Sequence, residues 1–271
     1  MMWNGDRKTG KEASGAAPGA DERNDRNFAF AEGFSLLSSA SVATSARGFY
    51  WRLFAGVIGI LVVAISALGL RDPLASMSSY TAALMALNQI APPLLLLSLP
   101  ATMRTGQLGR GKAGALFNFL LDPWAATILF IGLSIAISLP GVFDRSVANA
   151  LYATPLGVLE LLCGLLFWAQ FMPATRSIKA GWLAGSLAWI GAMPMTVVAV
   201  IWMLSPDVLY TPYLSVICRW NISPILDQRW AGLLMFVAGV PVQLVGGWVL
   251  IGSLLNQSSS QVADTPYARP Q

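Results

Sequence analysis

At 271 residues the chain is 55% hydrophobic and only 11% charged, with ten tryptophans and a mean hydropathy of +0.61. Soluble domains of this length do not carry so few charges, and several long apolar segments place the chain among polytopic membrane proteins of the all-α class. The net charge of +4 comes with no basic stripe of interleaved aromatics, which argues against nucleic acid, and the absence of histidine excludes His-based triads, His metal sites and imidazole relays.

Residues 1–46 are rich in Gly, Ala, Ser and mixed charge, and Phe28–Leu37 is too short and interrupted to span; a disordered or interfacial tail is expected. No apolar core of a signal peptide precedes the first span, which is therefore expected to direct insertion itself. Arg47–Arg52 sets Phe49, Tyr50 and Trp51 between arginines, an interfacial belt. From there residues 47–255 read as a helical bundle with spans at about 53–70, 80–99, 123–139, 155–171, 182–203 and 230–255, and 256–271 as a second disordered tail.

The second span organises the rest. Tyr80–Pro100 is an apolar run of about twenty residues, enough for a hydrocarbon core of about 30 Å. Asn88–Gln89 and Pro92–Pro93 interrupt it. The prolines remove backbone donors and crowd the preceding turn, so a kinked helix is expected, packed where neighbours satisfy the freed carbonyls. Asn88 and Gln89 should face different neighbours, being about 100° apart around the helix. Asp144 and Arg145 are expected in a short loop, and Ser205–Arg229 in a longer one whose Tyr210, Tyr213 and Trp220 lie partly in the interface.

Six spans put both termini on one side. Eight basic residues fall on that side (Arg47, Arg52, Arg104, Arg110, Lys112, Arg176, Lys179 and Arg269) and four opposite (Arg71, Arg145, Arg219 and Arg229). The asymmetry puts both termini in the cytoplasm. No internal repeat marks an inverted-repeat transporter.

Glu160 is the ionisable residue well inside a predicted span, about one to two turns from the outer end of the fourth. Intramembrane carboxyls are costly and face a bundle interior, a cavity or a partner. This one suits a proton relay, a pair with an outer arginine, or a partner-facing structural carboxyl. Asp227 and Gln228 enter the sixth span, where capping of that helix is the simplest reading. Gly181 and Gly185 form a small-residue face that permits close helix approach. Cys163 and Cys218 form no CxxC pair, and no phosphate loop, nucleophile elbow or dinucleotide fingerprint occurs.

Five segments occur in one order: APPLL at Ala91–Leu95, LPGVFD at Leu139–Asp144, GLLFW at Gly164–Trp168, MPMT at Met193–Thr196 and SPILDQRWAG at Ser223–Gly232. Together they resemble the CtaG family of cytochrome c oxidase assembly factors, over about Leu53 to Leu255. The resemblance implies a multi-pass protein of the bacterial plasma (inner) membrane, not an enzyme, that helps build a haem–copper oxidase and is suspected of handling copper. Its members characteristically carry a His-x-x-x-His pair before the APP, a His before the LP and a further pair entering the next helix. Here those positions hold Tyr80 and Leu84, Ser138, and Ala153 and Gly157.

No cofactor is assigned on these grounds, and copper is the metal the resemblance brings in. Thioether and thiolate bind Cu(I), which leaves Met193, Met195 and Cys163 as candidate ligands, with Met85 and Met235 on neighbouring spans. Methionine is equally a flexible filler of apolar cores. The expectation is a divergent family member acting as a scaffold or partner-binding protein, its partners oxidase subunits, other assembly factors and the lipid bilayer. The alternative is a small-solute or ion transporter of the plasma membrane built around the kinked helices and Glu160.

Overall fold

The computed structural model describes residues 46–100, 112–172, 178, 180–214 and 220–263. All described residues belong to one compact unit, within Val42–Gln271. Of the tail expected over residues 1–46 only Ala46 is described, and it is helical; of the disordered tail expected over 256–271, residues 256–263 instead continue the last helix, and 264–271 lie outside the described residues, as do Arg104, Arg110, Arg176, Lys179, Cys218 and Arg219.

Every regular element described is helical: α1 Ala46–Gly69, a 3-10 turn Pro73–Ala75, α2 Met77–Met85, a π-helical turn Ala86–Ile90, α3 Ala91–Ser98, α4 Lys112–Leu120, α5 Pro123–Ser138, α6 Pro140–Ala148, α7 Ala150–Ala169, α8 Gly181–Leu204, a 3-10 turn Thr211–Leu214 and α9 Pro224–Ala263. Five stretches are long and apolar enough to cross a membrane: Gly48–Gly69, Met77–Ser98, Ala150–Ala169, Gly181–Leu204 and Pro224–Leu255. A sixth exists if α5 is taken with Gly114–Leu120, from which it is bent by 69°. The bend has a local cause. Asp122 accepts hydrogen bonds from Trp124 N and Ala125 N at 3.0 and 3.1 Å, and Pro123 follows at the first helical position, so a new helix starts there.

Met77–Ser98 has half of its residues buried (50%), against 11% to 33% for the other four spans. A proline in a helix withdraws the donor that would bond the carbonyl four residues back, so Pro92 and Pro93 bare the carbonyls of Asn88 and Gln89. The span is not broken there. The ladder widens to the π-helical turn Ala86–Ile90, with Ala91 N donating to Ala86 O, and the span continues. Asn88 O is received by Gly164 of α7, where a Cβ would lie 2.6 Å from that oxygen and 2.8 Å from Pro92 Cγ. Only a hydrogen on that α-carbon lets α7 close on the bared carbonyl.

A glycine series joins α8 to α9. Gly232, Gly239 and Gly246 recur at intervals of seven, which keeps them on one face of α9. Added Cβ atoms would meet Ala199 O at 2.8 Å, Thr196 Oγ1 at 3.2 Å and Trp189 N at 2.8 Å respectively. From the other side a Cβ on Gly185 would meet Gly246 O at 2.7 Å, and one on Gly181 would meet Ser253 Cβ at 3.6 Å. The Gly181–Gly185 face is thus half of an antiparallel seam in which backbones touch.

The end of the bundle at which α1, α5 and α8 finish differs from expectation. Asp144 and Arg145 lie on helix α6, not in a loop. Of the three aromatics in the 205–223 connection, Tyr210 (1% exposed) and Tyr213 (5%) are core residues, and Trp220 (62%) is exposed. Phe143 is the hub: its ring centroid is 4.1 Å from Tyr210, 5.5 Å from Trp202 and 5.6 Å from Tyr80. The chain then turns through Asn221, whose φ of 53° is one asparagine tolerates, into Pro224 and α9.

Candidate functional site

α7 begins at Ala150 because Asn149 caps it, its Oδ1 accepting from Leu151 N at 2.9 Å. Pro155, expected to open the span, sits inside it. Glu160 is therefore about 15 Å along the helix, near mid-span rather than one to two turns from its end. It is 2% exposed and accepts a hydrogen bond from Asn88 Nδ2. The adjacent amide points elsewhere: Gln89 Nε2 donates to Met195 Sδ of α8 at 3.2 Å. The organising span thus holds α7 with one amide and α8 with the next.

Glu160 borders a cavity of about 20 Å³, room for one water-sized guest. Its polar lining is Thr81, Ser134, Ser138 and Glu160, and its thioethers are Met85, Met195 and Met235. Thr81 Oγ1, Asn88 Oδ1 and Gln89 Oε1 are buried without a hydrogen-bond partner. Of the three sulfur candidates only Met195 reaches this cavity; Met193 and Cys163 are half-buried and outside its lining. Sequence reasoning missed Thr81 and Ser134. Short hydroxyls in apolar helices give no pattern, since Ser134 bonds back to Phe130 O of its own helix at 2.8 Å.

Asp227 lies in the first turn of α9, and it and Gln228 also hold the ends of other helices. Asp227 (1% exposed) accepts from Ser76 Oγ at 2.9 Å, Met77 N at 2.6 Å, Ser78 N at 3.2 Å and Ser78 Oγ at 2.6 Å, which places a carboxylate on the N-terminus of α2. Gln228 (0% exposed) donates to Trp202 O in the last turn of α8 and to Asp207 O, both at 3.3 Å, and accepts from Leu209 N at 2.8 Å. Adjacent residues thereby pin the start of one span and the end of another. Beside them Tyr210 donates to Ser138 O at 2.8 Å and accepts from Trp202 Nε1 at 2.9 Å. Burial pushes its phenol above the usual tyrosine range, the Trp202 bond opposes this, and the charge of Asp144 adds to it.

A family model described as cytochrome c oxidase caa3 assembly factor (Caa3_CtaG) matches residues 33–257. The chain belongs to this family. No curated protein and no solved structure matches it. The description as an assembly factor suggests a non-catalytic role and implies contact with oxidase components.

The positions where the resemblance led us to expect histidine can now be tested for fit. Tyr80, Leu84 and Ala153 are buried members of one apolar cluster, and Tyr80 donates its hydroxyl to Ser146 Oγ at 3.0 Å. A Cβ on Gly157 would overlap Leu70 Cδ1 and approach Leu87 Cδ1 at 3.2 Å. Ser138 spends its hydroxyl hydrogen on Ser134 O at 2.8 Å. These positions do not fit a copper ion: they hold leucine, alanine, glycine and two hydroxyls already bonded to protein.

Replacing Asn88 and Gln89 together by leucine removes both cross-span bonds. The detergent-solubilised bundle is expected to lose about 0.6 to 2 kcal/mol per bond, read as a lower thermal midpoint. Ile90→Leu, at an exposed neighbour on the same turn, should leave it unchanged. A double variant as stable as the parent would mean that neither amide holds the bundle.

Proposed function

We propose that this family member assists oxidase assembly as a scaffold or partner-binding protein, without histidine copper chemistry and without catalysis. The observation that carries the reading is the apolar filling of the Tyr80, Leu84, Ala153 and Gly157 positions, which leaves the family's role in assembly without its expected ligand set. Affinity purification from native membranes tests it. An oxidase subunit or another assembly factor is expected to accompany the chain, and purification of the chain alone under conditions that retain other membrane complexes overturns the reading.

We further propose that the chain lies in the bacterial plasma membrane with both termini cytoplasmic. The reading rests on the eight-to-four distribution of basic residues, six of which lie outside the described residues. A reporter active only outside the cytoplasm should work when fused after Asp144 and fail after Lys112. The opposite pattern reverses the orientation.

A further inference from the structure

The centre of the bundle holds a carboxyl with no cation beside it among the described residues. The cavity lining contains neither lysine nor arginine. Among the described residues the titratable groups that feel the charge of Glu160 are Tyr80 from the second span and Cys163 from its own helix. α5, α8 and α9 bring Ser134, Met195 and Met235 to the cavity, none of them charged. An unpaired carboxylate at mid-span is strongly unfavourable.

Asn88 has the complementary defect. Its Nδ2 donates to Glu160 Oε2, while its Oδ1 is buried with no donor. A carbonyl oxygen so placed forfeits the hydrogen bond it had in water. One proton removes both defects, because a neutral carboxylic acid carries one O–H donor and keeps an acceptor. Acid and primary amide are then complementary in both directions, each giving one bond and receiving one.

We infer that Glu160 is a proton-binding site: a neutral acid whose O–H is given to Asn88 Oδ1, set against a cavity through which the proton exchanges. The cavity supplies the route. At about 20 Å³ it admits one water, and that water has the unpartnered Thr81 Oγ1, the Glu160 carboxyl and the acceptor lone pairs of Ser134 and Ser138 as partners. This inference does not depend on the assembly role, since oxidase subunits accompany the chain or fail to whatever the protonation of Glu160.

Infrared spectroscopy of the full chain in detergent at pH 7 tests it. Solvent-facing carboxyls are ionised there, so a carboxylic acid C=O band is expected from Glu160 alone. The band should vanish in Glu160→Gln, shift in Asn88→Leu as the amide partner is lost, and shift on transfer to D2O more slowly in Thr81→Val than in the parent. No acid band in the parent overturns the inference, as does a band that survives Glu160→Gln or keeps its frequency in Asn88→Leu. A band that appears only after treatment with a chelator means that a metal cation holds the proton's place, which also overturns it. If Glu160→Gln fails to fold, the parent spectrum and the Asn88→Leu shift decide the matter without it.

Discussion

Asp227→Ala should destabilise the bundle by about 3 kcal/mol or more, because it strips Met77 N and Ser78 N at the start of α2 of their acceptor, leaving only the Ser76 cap on Ser79 N. Two backbone donors of the first turn, Met77 N and Ser78 N, and the hydroxyls of Ser76 and Ser78 all point at this one carboxylate. Hydrogen bonds to a charged group are worth about 1.5–3 kcal/mol each, and buried donors left without a partner add their desolvation cost. The helix dipole works in the same direction, since a negative charge at a partly buried helix start is favourable by up to about 2 kcal/mol. These contributions overlap, so the sum is not taken. Asp227→Asn keeps one acceptor oxygen and should fall between parent and alanine variant. The check is the denaturation midpoint of the detergent-solubilised protein for all three. An alanine variant within about 0.5 kcal/mol of the parent, the range of an ordinary surface change, would show that the α2 start does not depend on this cap.

Hydropathy was enough to point to five stretches long and apolar enough to span, because a bilayer demands long apolar runs whatever their packing, whereas the third expected span, 123–139, reaches that length only together with Gly114–Leu120. It was also enough to single out Tyr80–Pro100: two amides and two prolines in an apolar run have to be accommodated by neighbours, and Glu160, Met195 and Gly164 are those neighbours. What the sequence reading misplaced was decided by local chemistry. Pro155 looked like a helix start, yet Asn149 had already capped α7, and the earlier start carries Glu160 to mid-span. Tyr210 and Tyr213 looked interfacial because aromatic composition is the same in a belt and in a core. Phe143 and the carbonyls of Ser138 and Pro73, distant in sequence, draw them in. Asp227 was legible as an acidic residue in the first turn of its own helix, whereas only the fold brings it to α2, some 150 residues away. The glycines at 232, 239 and 246 were in plain view, but their spacing acquires meaning only once α8 is known to be the partner. The family's expected histidine positions could be counted from the motifs, whereas what fills the space around them, Leu70 and Leu87 against Gly157, could not.

Gly164→Ala should be destabilising where most glycine-to-alanine changes inside a helix are neutral or helpful. Alanine is the better helix former by about 1 kcal/mol, so a loss at this site has to come from contact. The added methyl would lie 2.6 Å from Asn88 O, 3.2 Å from Asn88 Cα and 2.8 Å from Pro92 Cγ. None of these atoms belongs to a flexible side-chain end. The carbonyl and Cα are fixed by the π-helical turn, and the Pro92 ring is locked to its backbone. Relief requires α7 to move away from the organising span, which loosens the Glu160–Asn88 bond on the same face. Overpacking of a core costs about 1–3 kcal/mol, which outweighs the gain in helix propensity. Gly132 of α5 supplies the control, since a Cβ there meets nothing within 4 Å. Thermal midpoints of the two purified variants make the comparison: Gly132→Ala at or above the parent, Gly164→Ala clearly below it. If Gly164→Ala matches Gly132→Ala, the bared Asn88 carbonyl does not rest on α7, and the contact between the organising span and α7 is looser than the 2.6 Å approach requires.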